Sequence, residues 1–472
     1  MNYSEALAYL YSLSDFERGG PYTRNPEENL PRESRLLEAL GKPQQRYTST
    51  VIAGTKGKGS TAACIERVLR EAGVRTGLYT QPDLHTFRER MRVNGSLIRE
   101  HEMAELMAEV RAAVEQVGQE RRFGPFITYE VATALALLYF ARQRVEHAVL
   151  EIGLGGRLDA VNVVHPLVSV IASISYDHMQ ILGNTLTQIA TEKAGIIKQD
   201  GMVVTSAQAL EALLAIAEVC KTRHARMVRI GPAAGDAAQA GVVAGQLPPL
   251  SYRYRLEERS ETRQRFTVET PRQTYAGLEI PLAGEHQLEN ATLAVAALEL
   301  LREKGVRWDE SALRNGLSRV SWPARIEVVG HRPTIVVDGA HNTDSMQKLL
   351  SALRASFTMR RLIIVLGVAR DKDLPGIVAS LQDIDAVVLT RMANPRAASI
   401  EDLQALFARL APSVEVHSAA ATAGAMDLAL AMAERDDLIC ATGSLYLAGE
   451  ALRWAAAHGD REAAATIEGV DH

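Results

Sequence analysis

Seven residues constrain this chain more than any others: Gly54-Thr55-Lys56-Gly57-Lys58-Gly59-Ser60, set between a β-rich run at 47–52 and a helical stretch at 62–72. Residues 75–79, 148–152 and 168–174 read as further strands, and 102–117 and 129–142 as helices. Such alternation is the pattern of a buried, largely parallel sheet. Chemistry-bearing loops follow the strand ends: AGTKGKGS after the first, GLGGRLD after Glu151 and SYDH after Ser173. Open α/β sheets bind ligands outside the carboxyl ends of their strands, so three segments point at one rim.

In the loop at 54–60, backbone N–H groups and the following helix N-terminus can cradle phosphate oxygens. Lys58 supplies a point charge for the β and γ phosphates, and the Ser60 hydroxyl can ligate Mg²⁺. The spacing departs from the strict G-x-x-x-x-G-K-[ST] pattern, because two residues separate Gly54 from Gly57 and Gly59 precedes Ser60. A glycine turn with solvated lysines is the competing reading. The strand before and the helix after favour ATP, held by Gly54, Thr55, Gly57, Lys58, Gly59 and Ser60.

At roughly 150 residues per domain, 472 residues hold two or three cores. A second α/β series begins near Ile326, with strands at 334–337, 362–366, 386–390 and 438–441 and helices at 344–355 and from Ile400. The expected fold class is α/β: an N-terminal P-loop ATPase-type domain with a mostly parallel sheet (1–319), then a smaller Rossmann-like C-terminal domain (320–472). Within the first domain, Ala/Gly-rich 231–245 reads as loop, 252–275 as hairpin strands on an edge, and 290–304 as a long helix.

Charge and composition exclude several partners. With 52 basic and 57 acidic residues the net charge is −5, which gives no broad grip on nucleic acid. The longest apolar stretch, 131–141, falls short of the ~20 residues that span a bilayer, and the N-terminus carries no basic run, so neither membrane nor export is expected. Three scattered cysteines point to a reducing cytoplasm and no zinc.

In order, AGTKGKGS, ERMRVNG, LEIGLGGRLDAVN, SYDHMQILGNTLTQIATEKAGIIK, WPARIEVV, DGAHN and TGSLYLAGE resemble folylpolyglutamate and dihydrofolate synthases, the folate branch of the Mur-type amide ligases. The resemblance covers nearly the whole chain. It implies a monomeric, ATP-dependent ligase that joins a pteroate or folate carboxylate to L-glutamate through an acyl phosphate, releasing ADP and phosphate. A carboxylate is a poor electrophile until its oxygen takes the γ-phosphoryl group. Transfer of that group needs positioning and charge neutralisation more than covalent help.

The resemblance also implies roles for single residues. Glu151 would be a Mg²⁺ ligand; on residue type alone it is a strand-end carboxylate paired with Arg157. His178 would be a second ligand through its neutral imidazole. Lys193, in TEKAG, matches a lysine carried as a carbamate, where the bare sequence gives a helix lysine in a salt bridge. Tyr129, Leu158, Asp159 and Ala160 match positions that hold the pterin-bearing acid, with Tyr129 either stacking on the heterocycle or packing its helix. Asn290 would meet adenine, Arg325 phosphate and Asp338 the ribose, while His341 lines the cleft and joins Lys58 and Lys193 in catalysis. ATP would then bridge two domains. Asp338 and His341 also suit a capped turn before the helix at Asp344.

Three departures from the family pattern stand out. Gln81-Pro82-Asp83-Leu84 replaces S-P-H-L, so the second metal position would need Gln81 or Asp83. Lys56 replaces asparagine in G-T-N-G-K, adding a cation beside the phosphates, and WPAR mildly alters WPGR. A Mur-like ligase with another acid or amine, or a nucleotide-binding paralogue without ligase activity, remain the alternative readings. A P-loop GTPase is disfavoured, since no N-K-x-D motif is apparent.

Overall fold

The computed structural model describes residues 1–15, 25–234 and 247–458. Two units emerge. The first comprises Met1–Glu257, Arg265–Ile280 and Gln287–Val320, and the second Glu258–Gln264, Pro281–His286 and Ser321–His472.

Among the described residues, eleven strands form the sheet of the first unit: β1 (Thr48–Ala53), β2 (Thr76–Tyr79), β3 (Met91–Val93), β4 (Ser96–Leu97), β5 (His147–Glu151), β6 (Val168–Ile171), β7 (Met202–Thr205), β8 (Arg226–Pro232), β9 (Leu250–Arg259), β10 (Gln264–Glu269) and β11 (Thr274–Ile280). Their order is β11-β10-β9-β8-β7-β6-β1-β5-β2-β3-β4. From β2 through β5, β1, β6 and β7 to β8 the pairing is parallel. β1 is central, with Ile52 beside both Glu151 and Val170, while Tyr79 lies beside Leu150. Register therefore starts the loops after β2, β5, β1 and β6 at nearly one level.

The longest apolar stretch forms most of the helix Thr128–Arg142, which is buried on nearly every face and so needs no polar side. Arg32, on the helix Asn29–Ala39, clamps it through a buried Nη2–Oε1 contact of 2.6 Å to Glu130. His147 in β5 is held between the hydroxyls of Thr48 and Thr50 at 2.8 and 2.9 Å. Burial pushes its imidazole down to about 3, so it is a neutral structural group.

Most of the stretch read as loop at 231–245 lies outside the described residues. Gly231 and Pro232 belong instead to β8, where burial and pairing with Arg253 and Tyr254 of β9 override the local composition. The helix expected at 290–304 starts earlier, at Glu285, so Asn290 lies inside it.

The second unit carries β12 (Glu327–Gly330), β13 (Thr334–Val337), β14 (Leu362–Leu366), β15 (Ala386–Thr390), β16 (Glu415–Ala419) and β17 (Leu438–Thr442). The order is β12-β13-β17-β14-β15-β16, parallel except for the antiparallel edge β12. β14, β15 and β17 are buried throughout, which explains their unbroken apolar runs. No helix among the described residues is long and apolar enough to cross a membrane.

Candidate active site

The phosphate-type loop leaves β1 and turns into the helix Lys58–Glu71. Gly57, at φ 85°, is the N-cap, and a Cβ there would lie 2.2 Å from Asn290 Oδ1. Asn290 thus sits against the loop, its Nδ2 donating to Gln287 Oε1 at 3.0 Å. Gly57→Ala should cost about 1–3 kcal/mol through left-handed strain alone and also displace Asn290. Melting with and without ADP checks this: both the melting temperature and its rise on adding ADP should fall.

The loop is zipped to the segment after β6. Thr55 N donates to Ser173 O at 2.7 Å, Thr55 Oγ1 to Ser175 O at 3.1 Å, and Ser175 N back to Thr55 Oγ1. Lys56 Nζ lies 3.1 Å from Asp177 Oδ2. This corrects the expectation of an extra cation facing phosphate: Asp177, which residue type alone did not single out, neutralises Lys56.

Two ammonium groups converge on one carbonyl. Lys58 Nζ donates to Gly54 O at 3.2 Å and Lys193 Nζ to the same oxygen at 3.0 Å. Lys193 comes from the helix Leu186–Ala194 and is 4% exposed. Burial, and next the charge of Lys58, pushes its amine down to about 7. The salt bridge expected of an ordinary helix lysine is not formed. Glu151, at the end of β5, lies 3.8 Å from Lys58 Nζ. Its alternative partner Arg157 turns instead to Glu192 at 2.9 Å and Glu27 at 3.0 Å.

Ser60 is buried in the first turn of its helix, and His178 caps the short helix Met179–Leu182 at φ 50°, 3.8 Å from Asp177 Oδ1. No cluster of three His, Cys, Asp or Glu side chains that could hold a metal is found among the described residues. Mg²⁺ does not require one, because it keeps several waters and takes one or two carboxylates together with substrate phosphates. A buried carboxylate beside the phosphate lysine, with a hydroxyl at the helix start, fits that demand.

On the other side of Glu151, Asp159 caps the turn Ala160–Val163. Its carboxylate is saturated: Oδ1 accepts from Tyr129 Oη at 2.7 Å and Val161 N at 2.9 Å, and Oδ2 from Gly153 N at 2.9 Å and Leu154 N at 3.0 Å. Burial raises its carboxyl to about 6 against those donors. The Tyr129 hydroxyl also accepts from Gly153 N at 3.0 Å and Gln81 Nε2 at 3.3 Å. The polar ends of Tyr129 and Asp159 are therefore used within the wall. Leu158 O accepts from Asn29 Nδ2 at 3.5 Å, and Ala160 is buried. Asp83 is held by Arg90, with Nε 2.6 Å from Oδ1.

In the second unit, Asp338 follows β13 and its carboxylate accepts from Ile326 N at 3.0 Å and Ala340 N at 2.7 Å. Burial raises its carboxyl, against the pull of Arg325. His341 Nδ1 lies 2.8 Å from Gly339 O, and Asn342 caps the helix Thr343–Ser356. Arg325, whose Nη1 donates to Ala324 O at 2.8 Å, is bracketed by two left-handed non-glycine residues, Ala324 at φ 58° and Ile326 at φ 50°. The WPAR change is thus more than mild, since an L-residue in this region costs roughly 1–2 kcal/mol. Ala324→Gly is expected to stabilise the chain by about 1 kcal/mol in denaturant unfolding.

Residues 52–298 match the Mur ligase middle domain, and residues 324–445 match the Mur ligase, glutamate ligase domain. A dihydrofolate synthase/folylpolyglutamate synthase of Bacillus subtilis is 35% identical over 79% of this chain and 83% of the relative. A probable bifunctional folylpolyglutamate synthase/dihydropteroate synthase of Haloferax volcanii is 35% identical over 96% of this chain, which spans only 50% of that relative's length. Among solved structures, Mycobacterium tuberculosis folylpolyglutamate synthase complexed with ADP superposes with a TM-score of 0.85 at 31% identity, covering 96% of this chain and 99% of that one. E. coli FolC in complex with DHPP and ADP gives 0.82 at 27% identity, covering 97% and 98%.

Proposed function

The chain belongs to the folylpolyglutamate synthase/dihydrofolate synthase family of Mur ligases, and from that premise we propose that it is an ATP-dependent ligase joining L-glutamate to a pteroate or folate carboxylate. One observation carries the reading: two lysines and a buried carboxylate, Lys58, Lys193 and Glu151, meet at the mouth of a glycine loop that opens a helix. The arrangement suits a triphosphate. Gly54, Gly57, Gly59 and Ser60 offer backbone and hydroxyl donors to its oxygens, Thr55 shapes the loop around them through its bonds to Ser173 and Ser175, and Lys58 takes the γ-phosphoryl charge. Asn290, packed against Gly57, would meet the adenine, and the family pattern assigns Arg325 to phosphate and Asp338 to the ribose.

Mg²⁺ would neutralise phosphate charge at Glu151, Ser60 and His178. Lys193 is carried as a carbamate, because an amine near neutrality is nucleophilic toward CO₂ where an ordinary lysine is not. The wall of Tyr129, Leu158, Asp159 and Ala160 holds the flat acid, and His341 lines the cleft where the amine arrives. The acid's carboxylate oxygen attacks the γ-phosphorus and ADP leaves; the amine of glutamate then attacks the acyl carbon and phosphate departs. The enzyme works as a cytoplasmic monomer on small molecules.

Purified protein with Mg-ATP, glutamate and either dihydropteroate or tetrahydrofolate should sustain ADP release over many turnovers only when acid and amine are both present, acid alone yielding at most about one ADP per enzyme with the bound acyl phosphate. Sustained nucleotide consumption that does not depend on both would sink the proposal. Turnover with some other acid, and none with either pterin, would favour a Mur-like ligase of different specificity.

A further inference from the structure

Gln81 is tied at both ends. Its backbone N–H lies 3.4 Å from Glu151 Oε2, and its side-chain Nε2 lies 3.3 Å from Tyr129 Oη. A Cβ on Gly153 would come within 2.8 Å of both Gln81 Nε2 and the Tyr129 ring, so the three residues are packed without space between them. The Tyr129 hydroxyl is filled, donating to Asp159 and accepting from Gly153 and Gln81. A second anchor secures the same segment: Asp83 pairs with Arg90, which lies over the Phe87 ring at 4.8 Å from its centroid. The long contact between Gln81 N and Glu151 is thus set by side-chain anchors on either side of the turn.

We infer that Gln81 is a positioning residue: its side chain, anchored on Tyr129, holds its own backbone N–H against Glu151, so that the carboxylate at the phosphate site and the wall of the acid pocket move as one body. This rests on the reading of Glu151 as a metal ligand. A hydrogen bond to a metal-binding carboxylate orients it, and losing such a partner weakens metal binding. Gln81→Ala and Tyr129→Phe both leave the Gln81 backbone N–H that meets Glu151, yet each releases the anchor.

The test uses the full chain with a non-hydrolysable ATP analogue and Mn²⁺ as the probe, followed by calorimetry or paramagnetic resonance. Q81A and Y129F should each weaken Mn²⁺ binding by about 10-fold or more. The double variant should be no weaker than either alone, since both break one linkage. Q81N, whose amide falls one methylene short of Tyr129, should behave as Q81A; melting temperatures identify any variant that fails to fold. Mn²⁺ affinity unchanged in folded Q81A and Q81N, effects that multiply in the double variant, or no Mn²⁺ binding by the wild type each overturn the inference. Acid- and glutamate-dependent ADP release by the wild type, measured in parallel, tells failure of this linkage from failure of the ligase reading.

Discussion

Lys58→Met should lower acid- and glutamate-dependent ADP release by about 10²–10³-fold, the usual cost of deleting one fixed charge from a transferring group. Methionine keeps much of the aliphatic stem and removes only the cation, so the fold should stand. Lys58 lies between Gly54 O at 3.2 Å and Glu151 at 3.8 Å, where the proposed reaction puts the γ-phosphoryl group. Steady-state ADP release, with melting as the control for folding, measures the effect. A loss under about threefold, far short of the loss expected for such a charge, would remove Lys58 from the chemistry.

Lys193→Met should cost about 10²-fold in the same assay, because it deletes the group proposed to become an anion beside the phosphate site. At its ordinary value near 10.4, only about one lysine in 10³ is neutral at pH 7, whereas an amine held down to about 7 is roughly half neutral there. The wild type should therefore show a carbamate resonance with ¹³C-bicarbonate that is absent from the variant and grows as pH rises through about 7. Its absence from active enzyme would refute the modification. Stability gives an independent reading. Between about 7 and about 10 the unfolded chain binds a proton at this lysine that the folded chain does not, so in CO₂-free buffer this group makes stability rise with pH by up to about 1.4 kcal/mol per unit. Lys193→Met should lose that increment.

The sheet around the phosphate loop was legible because each strand of the parallel core is a short run rich in β-branched and apolar residues, nearly all buried, that leads into glycine or polar residues. What was not read tells why. β7, the helix Leu210–Thr222 and β8 carry no loop chemistry to mark their ends, and β16 is a partly exposed edge without an apolar run. Motifs likewise placed Lys58, Glu151 and Asp159 on one rim, and the family resemblance alone gave Lys193 its role, but their partners stayed hidden. The Lys56–Asp177 pair spans 121 positions and Lys193 reaches Gly54 across 139. Such contacts depend on strand order, which periodicity does not encode. Saturation of Asp159 by its own loop was equally invisible, since three of its four donors are backbone groups.

The shared carbonyl of Gly54 has a kinetic consequence. Before any polyanion arrives, the Lys58 ammonium is already berthed on that peptide oxygen, with Lys193 held at the same atom and unable to add a full second charge. Docking a triphosphate then exchanges one oxygen partner for another at short range. The main desolvation step has been completed during folding, so nucleotide capture should proceed with little internal rearrangement of this loop.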